Sequence, residues 1–309
     1  MYETLRILDI LIHPLSPYTS EYLYLGTFGQ KKSILLEDWP KPQESLEDEK
    51  IEESFDLLKD ATSISSAARM KGKLKRRWPL NEAIICVQKG QKEKLESLSR
   101  LLVSQLNVEK YNIKEIEKKE GLDQVLQLRQ FELPIVPKVE LERKKIGPKV
   151  KQHMGKLVQR FSETSSNDII EGLSKDGKFT FDVDGNQIVL DEEDFVIGFD
   201  AAEGFAVSER ENLVVFISTT RNSEMMAKGL VKDLARRLQT LRKERGYNPT
   251  DILNVASILD LDDDSLNMVK ENAKDLAFLV RVKQVDFTQS CKEYKDDDID
   301  GQKIRISVE

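Results

Sequence analysis

Apolar residues open the chain at helical spacing. Leu5, Leu8 and Ile12, flanked by Ile7, Ile10 and Leu11, predict an amphipathic helix over residues 2–13. Its first turn carries no capping residue, so the pattern is expected to be either a fragment or a helix completed by helices of another chain. His13-Pro14-Leu15-Ser16-Pro17 breaks it, because proline lacks an amide donor and restricts the residue before it. Residues 18–25 return to three- and four-residue spacing, and 33–40 read as extended. Residues 44–60 hold eight acidic and two basic side chains, with Ile51, Phe55 and Leu58 predicted as the buried stripe of a helix.

Beyond residue 80 the period alternates. Ala83–Val87 and Tyr111–Ile116 read as strands around a helix at 93–106, and Leu133–Leu141 reads as an edge strand because of its prolines. A helix is expected at 150–161. Asp184-Gly185 between two alternating runs predicts a hairpin over 178–190. A second hairpin is expected at 205–218, with its turn at 209–212. A long helix then runs from Ser223 to about Arg245, stopped by Gly246, and short strands follow around a helix near 265–277. No internal repeat is evident. The expected fold class is α+β: a partial helical bundle over 1–80, an α+β junction subdomain over 81–200, and a C-terminal α+β subdomain over 201–309.

Composition narrows the function classes. The chain of 309 residues is 33% charged with net charge −7, so a uniformly basic nucleic-acid binder is excluded. Two cysteines and two histidines, all far apart, cannot supply the close-set ligands of a zinc site or a disulfide framework. Asp262-Asp263-Asp264 and Asp296-Asp297-Asp298 lack the spacing, glycine and terminal glutamate of a calcium loop, so no metal is expected. No apolar run reaches a membrane span and no signal peptide is apparent; a cytoplasmic location is expected. Phosphate-loop, zinc-protease and serine-hydrolase motifs are all missing.

What stands out is basic blocks. Residues 69–78 carry six cations and no acid. On a continued helix, Arg69, Lys73, Arg76 and Arg77 would share one face, with Ile64, Ala67, Met70 and Leu74 on another. Such a face suits a phosphate backbone, and Trp78 suits stacking on an unpaired base. The bland alternative is a solvated helix face with Trp78 in the core. The second block, 138–160, has eight cations and two glutamates. There, Lys145 and Lys149 flank a turn entering a helix with Pro148 in its first turn, an arrangement able to hold a phosphate. In the third block, the 223–245 helix, Arg236 and Arg237 could reach phosphates; Asp233 and Arg237 read as a modest i,i+4 pair. Acidic stretches near 44–60, 191–203 and 260–264 would steer a polyanion to one side.

Leu11–Thr19 resembles the helix-and-corner segment of the class I synthetase anticodon-binding bundle, and Leu36–Pro40 its Trp-Pro segment. Ser66–Leu80 resembles the A-R-x-K-x-x-x-K-x-R-W-P-L stretch of isoleucyl-tRNA synthetases, and Lys145–Lys149 is similar to their L-G-P-K turn. Gly229–Tyr247 resembles their G-L-x-R-x-x-x-R-R-x-Q-x-L-R-K helix. The corner departs at Ser16-Pro17-Tyr18, and Lys228, Val231 and Lys232 replace Glu, Ala and Arg. The motifs occur in family order over nearly the whole chain, and the missing cysteine-rich module points to the archaeal or eukaryotic type. The resemblance implies the anticodon-binding and C-terminal domains of a class I isoleucyl-tRNA synthetase. tRNA with the isoleucine acceptor would be the partner. Arg69, Lys73, Arg76, Arg77, Trp78, Lys145, Lys149, Arg236 and Arg237 would be its contacts, and no residue of this chain would be catalytic. Both H-I-G-H and K-M-S-K-S are missing, so the catalytic portion, with its ATP and magnesium, is expected upstream or on a separate chain, and no cofactor in this one. The alternatives are a free-standing RNA-binding factor derived from a synthetase and a protein-interaction scaffold.

Overall fold

The computed structural model describes residues 1–309 except 43, 151, 152, 212 and 300, and except the side chain of residue 46. The chain forms two compact units, Met1–Lys50 and Ile51–Glu309.

In the first unit, α1 (Tyr2–Ile12) stops at the proline corner. Pro17 takes the first position of α2 (Pro17–Leu23), where its missing amide costs nothing. A π-helical turn (Tyr24–Phe28) follows and ends on Gly29 at φ 31°. Ile10, Tyr24, Phe28 and Ile34 are the buried cluster. The predicted apolar stripe of α1 is only partly used: Leu5 and Leu8 stay half exposed. The Tyr24 hydroxyl donates to Glu37, which also pairs with Lys31 at 3.3 Å and Arg6 at 3.4 Å. Residues 33–40 are not simply extended. Ser33 caps a 3-10 turn, Ile34–Leu36, and Glu21 accepts from the Ser33 hydroxyl and the Ile34 amide, both at 3.0 Å.

From α3 (Glu49–Lys71) the chain enters β1 (Leu80–Gln88), α4 (Lys92–Ser97), α5 (Ser99–Leu106) and β2 (Val108–Ile116). An insertion comes next: α6 (Gly121–Gln130), β3 (Ile135–Leu141), α7 (Arg143–Val150), α8 (Met154–Glu163), α9 (Ser166–Asp176), β4 (Lys178–Val183), β5 (Asn186–Asp191) and β6 (Phe195–Ala201). The hairpin β7 (Phe205–Arg210) and β8 (Leu213–Ser218) leads to α10 (Ser223–Glu244). After it come β9 (Leu253–Leu259), α11 (Asp263–Glu271), α12 (Ala273–Val280), β10 (Val282–Asp286), β11 (Lys295–Ile299) and β12 (Gln302–Val308).

Several expectations are corrected. The helices read at 93–106 and 265–277 are each a pair, broken at Leu98 and Asn272, where the backbone leaves helical values. The helix read at 150–161 begins at Met154; residues 151 and 152 of that reading lie outside the described ones, as does residue 212 of the second hairpin turn. In α3, Ile51, Phe55 and Met70 are exposed, while Ser54, Ala61, Ser65 and Ala68 are buried with Leu58 and Ile64. Small residues let this helix lie close on its sheet. β8 pairs with β1, and β6 runs through to Ala201.

An internal repeat is present although the sequence hides it. One sheet has the order β2-β1-β8-β7 and the other β10-β9-β12-β11. In each, the first two strands in sequence are parallel and joined by a helix pair; a returning antiparallel hairpin completes the sheet. In each, one preceding helix packs on the sheet: α3 through Leu58, Ala61 and Ala68, α10 through Val231, Leu234 and Leu241. The 117–204 insertion interrupts only the first copy and buries its own core of Ile146, Leu157, Ile170, Phe181 and Phe195.

A buried arginine marks the same place in both copies. Arg69 is 4% exposed and donates to the carbonyls of Lys75, Trp78, Leu106 and Asn107 at 3.0, 2.9, 2.8 and 3.1 Å. Arg242, 5% exposed, donates to those of Asn248, Asp251, Val280 and Arg281. Each arginine reaches six and nine residues ahead, then across to the residue that ends the helix pair in the left-handed region, Asn107 at φ 50° or Arg281 at φ 57°. Removing either guanidinium strands buried carbonyls, at a cost on the order of 3 kcal/mol. Arg69→Met and Arg242→Met should therefore each lower the urea midpoint clearly. Arg305→Met, which removes an exposed pair with Asp260, should shift it by under about 1 kcal/mol. Equal small shifts for all three would contradict the cage.

Candidate nucleic-acid interface

The basic 69–78 segment is not one helix face. α3 ends at Lys71, Gly72 follows, and Lys73 adopts φ 53°. A Cβ at Gly72 would lie 3.1 Å from that of Ala206 and 3.3 Å from Thr219, so the chain turns where only glycine fits easily. Residues 73–79 become a loop wrapped round Arg69. Arg69 itself is beneath the surface rather than on a cationic face, and burial, followed by the neighbouring Arg76 charge, pushes its pKa down to about 10. It shapes the loop through its four carbonyl bonds and has no donor face turned outward.

The loop is fastened a second time, to α10. Asp233 is 2% exposed and accepts from the Trp78 indole N–H at 3.2 Å and from Lys75 Nζ at 3.2 Å. Arg77 pairs with its other oxygen at 2.7 Å, off the hydrogen-bonding direction. The modest helix pair read between Asp233 and Arg237 does not form. Arg237 instead pairs with Asp297, because α10 buries Asp233 against the loop. Trp78 is half-buried, its ring covered by Arg221 at 3.9 Å and Lys75 at 4.7 Å. Stacking on a base would require those cations to leave, so the tryptophan acts as part of the joint.

What the joint presents is a groove of about 760 Å³. Lys75, Arg76 and Arg77 of the loop, Ser104, Gln105 and Asn107 at the end of α5, and Lys232 and Arg236 of α10 line it. Arg76, Lys232 and Arg236 are exposed and have no carboxylate partner among the described residues; Lys232 reaches Asn107 Oδ1 at 3.4 Å. Loss of water, and then the nearby Lys228 and Arg69 charges, lower the Lys232 pKa. Unbalanced positive charge beside uncharged donors is suited to the phosphates of a nucleic acid. A smaller cavity of about 270 Å³ adjoins it, lined by Arg77, Asp233, Arg236, Arg237, Thr240, Lys295 and Asp297.

Of the residues singled out in the sequence, the structure gathers Arg76, Arg77 and Arg236 at the groove, with Arg237 beside it and Arg69 and Trp78 behind it. Lys73 is exposed on the same loop. Lys145 and Lys149 belong to the insertion. The turn read there is helix α7, with Pro148 inside it and the Lys145 and Ile146 amides donating to Glu142. Lys145 pairs with Glu193 at 3.3 Å, and Lys149 with the fully buried Asp194 at 2.6 Å. Burial opposes the Asp194 charge, yet Lys149 and the Asp191 amide hold its carboxyl below the usual range. Lys232 was legible as part of a cationic helix face. Ser104, Gln105 and Asn107 carried no signal beyond the helix end that an asparagine marks.

No three His, Cys, Asp or Glu among the described residues are grouped for a metal ion. Cys86 lies in the core, where burial pushes its thiol up to about 12. No described helix is long and apolar enough to cross a membrane.

Gly229 is the tightest test of the joint, because a Cβ there would lie 2.9 Å from Trp78 Cδ1. Gly229→Ala should displace the indole and cost roughly 1–3 kcal/mol. In a Trp39→Phe background, the Trp78 emission should shift to the red; an unchanged spectrum and midpoint would refute the packing.

Residues 1–85 match the family model described as the anticodon-binding domain of tRNA ligase. An isoleucine–tRNA ligase of Bacteroides fragilis is 31% identical over 257 residues, which is 81% of this chain and 21% of that protein. The isoleucine–tRNA ligase of Pyrococcus abyssi is 26% identical over 292 residues, covering 92% of this chain and 25% of that protein. That of Porphyromonas gingivalis is 25% identical over 310 residues, covering 100% and 26%. The chain thus spans about a fifth to a quarter of the length of the curated relatives it matches. Residues 1–85 are thus similar to the anticodon-binding domain of tRNA ligases, and the chain as a whole is similar to part of the isoleucine–tRNA ligases.

Proposed function

We propose that this chain is the tRNA-binding, anticodon-side portion of an isoleucine–tRNA ligase. The observation that carries the reading is the groove at Arg76, Lys232 and Arg236, cations with no carboxylate partner among the described residues, while its other cations, Lys75 and Arg77, pair with Asp233. A net charge of −7 makes that local excess the more selective, because acidic surface elsewhere repels a polyanion. The groove holds phosphates of the anticodon stem and loop and so positions a distant acceptor end; the contribution is orientation rather than bond chemistry. Aminoacylation with isoleucine, ATP and magnesium belongs to a catalytic portion outside these residues, in the cytoplasm. The chain alone is inactive.

Filter binding of an isoleucine tRNA transcript over a salt series tests this. The three cations of this groove contribute about −2 to −3 to the slope of log affinity on log salt. Arg76→Ala and Arg236→Ala should each weaken binding and flatten the slope by about one, whereas Lys145→Ala should leave it unchanged. Salt-independent binding, or none, would refute the reading. In a charging assay with isoleucine, ATP and tRNA, the purified chain should form no isoleucyl-tRNA; turnover would refute the division of labour.

A further inference from the structure

The repeat places a second groove where the first one lies. The Arg242 cage supports a loop at 245–252 as the Arg69 cage supports the loop at 72–79, and α12 ends at Arg281 as α5 ends at Asn107. Between them lies a cavity of about 560 Å³ whose wall includes Gln239, Lys243, Tyr247, Asn248, Leu279 and Arg281. The loop and the helix end match those of the first groove, the remaining wall is the arginine's own helix α10 through Gln239 and Lys243, and the side chains differ in kind. Ser104 and Gln105 at the end of α5 are replaced by Phe278 and Leu279 at the end of α12, and a tyrosine enters the loop. Phe278 precedes the wall residue Leu279, is not itself part of the cavity wall and is 83% exposed; Tyr247 is half-buried, and Lys243 and Arg281 are exposed without a carboxylate partner among the described residues.

From this pairing of aromatics and cations we infer that the second groove binds an unpaired RNA nucleotide, its base against Tyr247 and Phe278 and its phosphates at Lys243 and Arg281. Every base has a face that stacks on an aromatic ring, and cations beside the ring hold the backbone. α10 joins the two grooves. Lys232, Arg236, Gln239 and Lys243 lie on one face of that helix, which at 1.5 Å per residue extends over about 16 Å. One strand can therefore follow a single cationic path from the phosphate groove to the stacking groove. A purely apolar partner would leave Lys243 and Arg281 desolvated and unpaired, which charge complementarity with RNA avoids.

The inference rests on the RNA-binding reading above, and the experiment separates the two. Affinity of the full chain for the isoleucine tRNA transcript is measured over a salt series for three double variants. Tyr247→Leu/Phe278→Ala should weaken binding roughly five- to hundredfold with the slope unchanged, as loss of stacking does. Lys243→Ala/Arg281→Ala should flatten the slope by about two. Tyr247→Phe, which keeps the ring, should bind as the unaltered chain does, and Phe278→Ala alone, at an exposed position, guards against a folding artefact. If Arg76→Ala/Arg236→Ala loses affinity while either second-groove double variant binds normally, the second site is overturned and the function stands. If the unaltered chain fails to bind tRNA, both fall.

Discussion

A guanidinium buried among four carbonyls is the constraint on which the candidate interface depends. Arg69 is charged and almost wholly buried, an arrangement tolerable only when its donors are matched to acceptors. Those acceptors come from the 75–78 loop and from the end of α5, which also meet directly where Asn107 Nδ2 donates to the Arg76 carbonyl at 3.2 Å and the Leu80 amide to the Asn107 carbonyl at 3.1 Å. Satisfying the arginine brings them together and forms the two walls of the groove. Asp233 supplies the third wall by drawing α10 against the same loop through Lys75, Arg77 and Trp78. Gly229 permits that approach because a side chain there would collide with the indole.

The division between buried and free cations follows from this. Basic residues in one run of sequence look equivalent, but the fold assigns them opposite work. Arg69 is consumed by backbone, Lys75 and Arg77 by Asp233, and Lys149 by Asp194. Arg76, Lys232 and Arg236 are left facing solvent with no acid paired to them among the described residues. A phosphate contact needs charge not already compensated, so on the proposed function residues of the last kind would define the surface and those of the first kind its shape.

Much of the fold was legible, and the failures have physical causes. Alternating runs located β1, β2 and the two hairpins, and Pro17, Gly246 and the Asp184-Gly185 turn marked their breaks. Helix periodicity failed at 69–78 because Gly72 and a left-handed Lys73 end α3 about two turns early, which removes the common face expected for Arg69, Lys73, Arg76 and Arg77. The repeat escaped notice because its copies share backbone hydrogen bonds and buried positions rather than residue types. Arg69 and Arg242 each precede their strand by eleven residues, but an insertion of some ninety residues breaks the period. Contact between Trp78 and Gly229 was likewise invisible, although each belonged to a recognised motif; linear spacing does not reveal that two motifs are halves of one joint.

The central claim is that RNA lies against the uncompensated cations of the Arg69 frame and not on the basic block of the insertion. Lysine-reactive footprinting with and without bound isoleucine tRNA tests it most directly. Lys232 should lose reactivity when tRNA is bound, while Lys145 and Lys149, held by Glu193 and Asp194, should not change. Protection of Lys145 and Lys149 with Lys232 left reactive would contradict the account.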